Sequence, residues 1–93
     1  APGAHRFALG AAAPQPTPLA RGAATVQFSL PQASEVHLAL YDAAGREVTV
    51  IASGRYTGGT HSVEIPLGGF AAGSYFYRLT TAQGARTRKL LLR

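Results

Sequence analysis

Gly73-Ser74-Tyr75-Phe76-Tyr77-Arg78-Leu79 is the stretch that decides the fold. In an extended chain Tyr75, Tyr77 and Leu79 share one face, and Ser74, Phe76 and Arg78 share the other. Alternation with aromatic side chains suits a half-buried pleated surface, so these residues predict a strand. The rest of the chain supplies strands to pair with it.

Downstream, Ala82-Gln83-Gly84 reads as a turn and Arg86 to Arg93 as the last strand. With Leu90 and Leu92 facing the core, Lys89, Leu91 and Arg93 share the outer face. A leucine between two cations at the end of the chain admits two readings. One is a basic edge strand whose charges block edge-to-edge pairing. The other is a terminal strand that another protein recognises.

Upstream, Leu67 to Gly73 reads as a connection in which Phe70 plugs the end of the core. His61 to Pro66 is a strand with Val63 and Ile65 inward, preceded by a glycine-rich loop over Ser53 to Gly59. Arg46 to Ile51 is a strand with Val48 inward, and the adjacent Val50 and Ile51 mark a bulge. Asp42-Ala43-Ala44-Gly45 is a tight turn, with Asp at its first position and Gly at its last. Glu35 to Tyr41 places Val36, Leu38 and Leu40 inward, and Ala24 to Leu30 places Val26, Phe28 and Leu30 inward before Pro31 stops it.

Residues 1–18 hold Pro2, Pro14, Pro16 and Pro18 and read as a linker, within which residues 5–9 offer a short edge strand with Phe7 and Leu9 on one face. Residues 19–93 form the folded domain. About seven strands at roughly ten-residue spacing, with no helical period, predict an all-β fold. The expected architecture is a small antiparallel β-sandwich of immunoglobulin-like type.

Ninety-three residues make one small domain, with no margin for a large enclosed catalytic cavity. Without cysteine there is neither a disulfide nor a thiolate site. The apolar runs fall far short of a membrane span. No signal peptide is evident in the Ala-rich residues 1–13, which read as the start of a fragment. The formal charge of +5 comes from spread cations, and only Arg86-Thr87-Arg88-Lys89 forms a cluster, so nucleic acid is not the expected partner.

The four carboxylates, Glu35, Asp42, Glu47 and Glu64, propose no pair for acid–base work. His5, His37 and His61 lack metal-ligand spacing, and His37 and His61 read as surface residues turned away from the apolar sets. One Asp in a turn, with no nucleophile elbow, excludes a serine triad. The glycine pairs form neither a dinucleotide fingerprint nor a P-loop. No enzyme, cofactor or metal site is expected. Tyr41 and Phe76 admit a sugar-binding platform or, as aromatics often do in sandwiches, a cover over the core edges.

An ordered set of motifs carries a resemblance over nearly the whole chain. It comprises Pro14-Gln15-Pro16-Thr17-Pro18, Ala24 to Pro31, Val36 to Asp42, Gly45-Arg46-Glu47-Val48, Gly59-Thr60-His61, Ala72 to Leu79 and Lys89-Leu90-Leu91-Leu92-Arg93. Together they resemble the C-terminal sorting domain of proteins exported by the type IX secretion system of Bacteroidetes and relatives. The resemblance implies a β-sandwich appended to a larger N-terminal cargo. Outer-membrane translocon components would recognise it after entry to the periplasm. A surface sortase would then remove it and attach the cargo to the cell surface, or the cargo would be released. Recognition would rest on Gly73 and Tyr75 of the Gly-x-Tyr motif and on Lys89, Leu91 and Arg93 of the basic terminus. Arg93 stands where the family more often has Lys, which keeps the charge but changes its geometry. Gln15-Pro16-Thr17-Pro18 stands where the family commonly has Asn-Pro-Phe.

The pattern is also similar to the immunoglobulin-like domain of flagellar hook-capping proteins, which implies a structural assembly module instead. A spacer or carbohydrate-binding sandwich of a multidomain enzyme is the remaining alternative. Sorting domains lie at the end of their chain, and a terminus at Arg93 favours that reading.

Overall fold

Seven strands form two facing antiparallel sheets in a computed structural model that describes residues 6–15 and 17–93, the Leu19 side chain excepted. They are β1 (Ala8–Leu9), β2 (Ala23–Leu30), β3 (Ser34–Asp42), β4 (Glu47–Tyr56), β5 (Gly59–Pro66), β6 (Gly73–Thr81) and β7 (Gly84–Leu92). One sheet has the order β1-β2-β5 and the other β4-β3-β6-β7. The small antiparallel β-sandwich read from the sequence is the observed architecture.

Alternation builds the core. Val26, Phe28 and Leu30 from β2 meet Val36, Leu38 and Leu40 from β3, Tyr75, Tyr77 and Leu79 from β6, and Leu90 and Leu92 from β7. Ile65 and Leu67 close it from the β5 side, while Phe70, partly buried, packs against it. Apolar side chains lost from water between two sheets are the main stabilising term.

Strand β4 departs from the simple alternation. Its pairing with β3 passes from Ala52 directly to Val50 and from Thr49 directly to Glu47, so Ile51 and Val48 are both extra residues. The bulge expected at Val50-Ile51 is present, and a second one accompanies it. Val48, expected inward, is instead 37% exposed and Val50 is 44% exposed. Each inserted residue reverses the facing of those beyond it. Ser53 to Tyr56, read as part of a loop, continues β4 by pairing with Ser34 to His37. Ladder hydrogen bonds come from the backbone, so Ser, Gly and Arg can extend a strand that their side chains do not advertise.

Two β-turn features match the sequence reading. Asp42 Oδ1 accepts the N–H groups of Ala44 and Arg46, each at 3.0 Å, and Gly45 N–H donates to the Asp42 carbonyl at 2.9 Å. The edge strand expected over residues 5–9 is seen at Ala8–Leu9, with His5 outside the described residues. Leu9 enters the core and Phe7 packs beside it.

Candidate functional site

The register of β6 against β7 brings the sequence-predicted site residues to one corner of the four-stranded sheet. Gly73 pairs with Leu92, Ser74 with Leu91, Tyr75 with Leu90 and Phe76 with Lys89. Leu90 and Leu92 are buried, which turns Lys89 and Leu91 to the outer face; Lys89 and Arg93 are exposed and Leu91 is half-buried. A leucine flanked by two cations is therefore displayed at this corner. Tyr75 is not displayed with them; it is buried beneath, on the core side of β6.

Tyr75 holds the corner from within. Its hydroxyl donates to the Ala71 carbonyl at 2.6 Å, and its ring stacks on Phe70 with centroids 6.1 Å apart. A tyrosine near a strand start, bonded to backbone a few residues upstream, is a device found in immunoglobulin-like sandwiches. Gly73 enters the strand at φ 153°, a conformation that side-chain-bearing residues rarely adopt. No atom lies within 4 Å of the position a Cβ would take there, so the constraint is backbone geometry alone.

The lead-in segment clamps β7 at the same corner. Gly10 and Ala13 donate to Gln27 and Thr25 of the first sheet at 2.7 and 2.8 Å. The chain then crosses to the second sheet, where Thr17 bridges Leu92 in parallel. Thr17 N–H donates to the Leu91 carbonyl at 2.8 Å, and Arg93 N–H donates to the Thr17 carbonyl at 3.0 Å. Gln15 behaves as a side-chain peptide group: Nε2 donates to the Lys89 carbonyl at 2.8 Å and Oε1 accepts the Leu91 N–H at 3.1 Å. Thr17 is fully buried, and its hydroxyl donates to the Pro14 carbonyl at 2.6 Å.

Gln15 and Thr17 were missed by the sequence reading. The signal lay in Pro14, Gln15, Pro16, Thr17 and Pro18, where polar residues alternate with prolines that lack an N–H. Thr17 bonds the sheet edge through its backbone N–H, and Gln15 does so through its side-chain amide.

Beyond the clamp, β1 and β7 line an open groove of about 460 Å³ between Phe7–Leu9 and Arg86–Arg88. The Arg86 guanidinium lies 4.6 Å from the centre of the Phe7 ring. Arg88 Nε donates to the Leu9 carbonyl at 2.6 Å, and the Tyr77 hydroxyl donates to the Gly10 carbonyl at 2.7 Å. Burial raises the pKa of the Tyr77 hydroxyl and keeps it a donor.

Tyr41 and Phe76 are cross-strand neighbours, both half-buried, beside a shallow hollow that Gly45, Arg78 and Thr87 complete. His61 is half-buried on the apolar side of its strand rather than turned away from it: its ring lies 5.3 Å from that of Phe28 and 5.1 Å from that of Tyr56. It shares strand parity with Val63 and Ile65, which explains the position. His37 is at the surface, 3.4 Å from Glu47. Among the described residues no three His, Cys, Asp or Glu side chains gather as metal ligands. No helix among them is long and apolar enough to cross a membrane.

The family described as the secretion system C-terminal sorting domain matches residues 14–93. No curated protein matches the chain.

Proposed function

Because the chain belongs to the family of C-terminal sorting domains of the type IX secretion system, we propose that it directs an N-terminal cargo across the outer membrane as a folded signal. The family is one of sorting signals, not of catalysts. The proposed destination of the cargo is the cell surface or the medium, reached through the periplasm, with removal of the domain by a surface sortase as the final step.

The corner that displays Lys89, Leu91 and Arg93 supports this reading most directly. Leu90 and Leu92 anchor the strand in the core, so the alternate residues are held outward in fixed positions. Gly73 and Tyr75 serve recognition by fixing the neighbouring strand, while Lys89 and Arg93 supply charge and Leu91 an apolar contact. A translocon component would read this set as one surface.

The test fuses residues 1–93 to the C-terminus of a fluorescent reporter carrying a Sec signal. Reporter on the surface or in the medium of a type IX-competent strain, and periplasmic in a translocon-deficient one, is the expected outcome. Periplasmic retention in both strains, repeated in a second competent host, overturns the reading in favour of a structural module. The double substitution Lys89→Ala with Arg93→Ala should leave thermal unfolding unchanged and lower export. If it unfolds the domain instead, the two cations are structural.

A further inference from the structure

We infer that the outer edge of β7 between Ala85 and Lys89 accepts an extended, acidic segment of a partner protein as an added strand. The inference deepens the sorting reading and rests on it for the setting in which the partner is met.

Backbone geometry comes first. In an antiparallel pair, alternate residues turn their N–H and C=O groups away from the partner strand. The clamp shows which residues of β7 do so, since the bonds from Gln15 and Thr17 reach Lys89 O, Leu91 N and Leu91 O. Continuing the alternation, both backbone groups of Thr87 and the N–H of Lys89 also point outward. Among the described residues no hydrogen bond engages them. The clamp therefore covers the last part of the edge and leaves Thr87 and the Lys89 N–H open, while further back the Ala85 carbonyl accepts Arg86 Nη1 at 3.1 Å.

The two edges of this sheet are not alike. β4, at the far edge, carries two bulges, which spoil pairing with another chain. β7 runs in continuous register with β6 from Gly84 to Leu92 and has no bulge. The chain itself already adds a short parallel segment to it at Thr17.

Charge names the partner. The four carboxylates, Glu35, Asp42, Glu47 and Glu64, all lie outside the strands that line the groove. Arg86 and Arg88 face the groove, and Lys89 projects from the opposite side of the strand. Arg88 commits only its Nε to Leu9, leaving the two terminal nitrogens of its guanidinium for a further acceptor. Acidic side chains at alternate positions of an added strand would meet Arg86 and Arg88, while its backbone pairs with Thr87.

Thr87→Pro removes one outward N–H without removing a bond of the sheet, and proline is tolerated on edge strands. Thr87→Val keeps the N–H. In the reporter fusion, Thr87→Pro should fold and lose export, whereas Thr87→Val should fold and be exported like the parent. A folded Thr87→Pro exported at the parent level overturns the inference. A parent fusion that is not exported counts against the sorting reading, and the edge is then tested directly. For that, amide exchange of the 93-residue chain is followed with a synthetic peptide of alternating Thr and Glu. Slowed exchange at Thr87 and Lys89, absent with an alternating Thr and Lys peptide, supports the inference; unchanged exchange, or equal slowing by both peptides, overturns it. The same exchange experiment decides if Thr87→Pro does not fold.

Discussion

Gly73 shows how one backbone angle can constrain a surface. At φ 153°, any side chain is strained even though the space around it is empty. Gly73→Ala should lower stability by about 1–3 kcal/mol, the usual range for a residue forced into a sparsely populated region. Urea unfolding checks this, and an unchanged midpoint would remove Gly73 from the account of the corner. Asp42 offers a second residue-scale case, with the sign set by its pKa. The Arg46 N–H bond holds its carboxylate below the ordinary value, the neighbouring Arg46 side chain and Ala44 N–H add to this, and partial desolvation opposes it. A depressed carboxylate contributes stability that is complete above the unfolded-state pKa and is lost as pH falls through the folded one. Stability should therefore drop on acidification below the ordinary aspartate range, and Asp42→Asn should lack that component when unfolding is compared at neutral and strongly acidic pH.

At the scale of elements, the clamp on β7 makes a distinct prediction. Gln15→Ala frees the Leu91 N–H and the Lys89 carbonyl, both at the edge and open to water, so the loss should be only about 0.5–1.5 kcal/mol per hydrogen bond. The clearer readout is amide exchange, which should speed up at Leu91 and leave Tyr77 unaffected; equal rates at Leu91 would mean that Gln15 holds nothing. This element also marks the boundary of what was legible. The core strands could be read because Val26, Phe28 and Leu30, or Tyr75, Tyr77 and Leu79, write their facing into every second residue. Strand β4 could not be followed by that rule, since Val48 and Ile51 are inserted where the backbone bulges. Ser53 to Tyr56 pairs through groups common to all residues, so its composition gave no sign of a strand. The outward set Lys89, Leu91 and Arg93 was legible from Leu90 and Leu92. The clamp on it was not, because contacts between Gln15 and Leu91 span the whole chain.

For the whole molecule, the position of the amino-terminal segment matters most. The family match begins at residue 14, yet Leu9 is 5% exposed, Ala12 is 2% exposed, and both belong to the core. Through Leu9 and Gly10 this segment also supplies the acceptors for Arg88 and Tyr77. Deleting residues 1–12 should therefore be much more damaging than trimming a linker. Loss of a buried leucine costs about 2–5 kcal/mol when it is cut to alanine. A buried hydroxyl such as that of Tyr77, left without its partner, adds about 1–3 kcal/mol. Small domains have only about 5–15 kcal/mol in total, so the shortened chain should be substantially destabilised. Leu9→Ala provides the milder version, with cooperative unfolding retained at a lower urea midpoint. An unchanged midpoint in both variants would mean that the sandwich is complete without this segment. A fall in both would mean that the amino-terminal segment is built into the fold that carries Lys89 to Arg93. Disturbing that segment would then disturb β7 directly, because Thr17 and Gln15 bond to it.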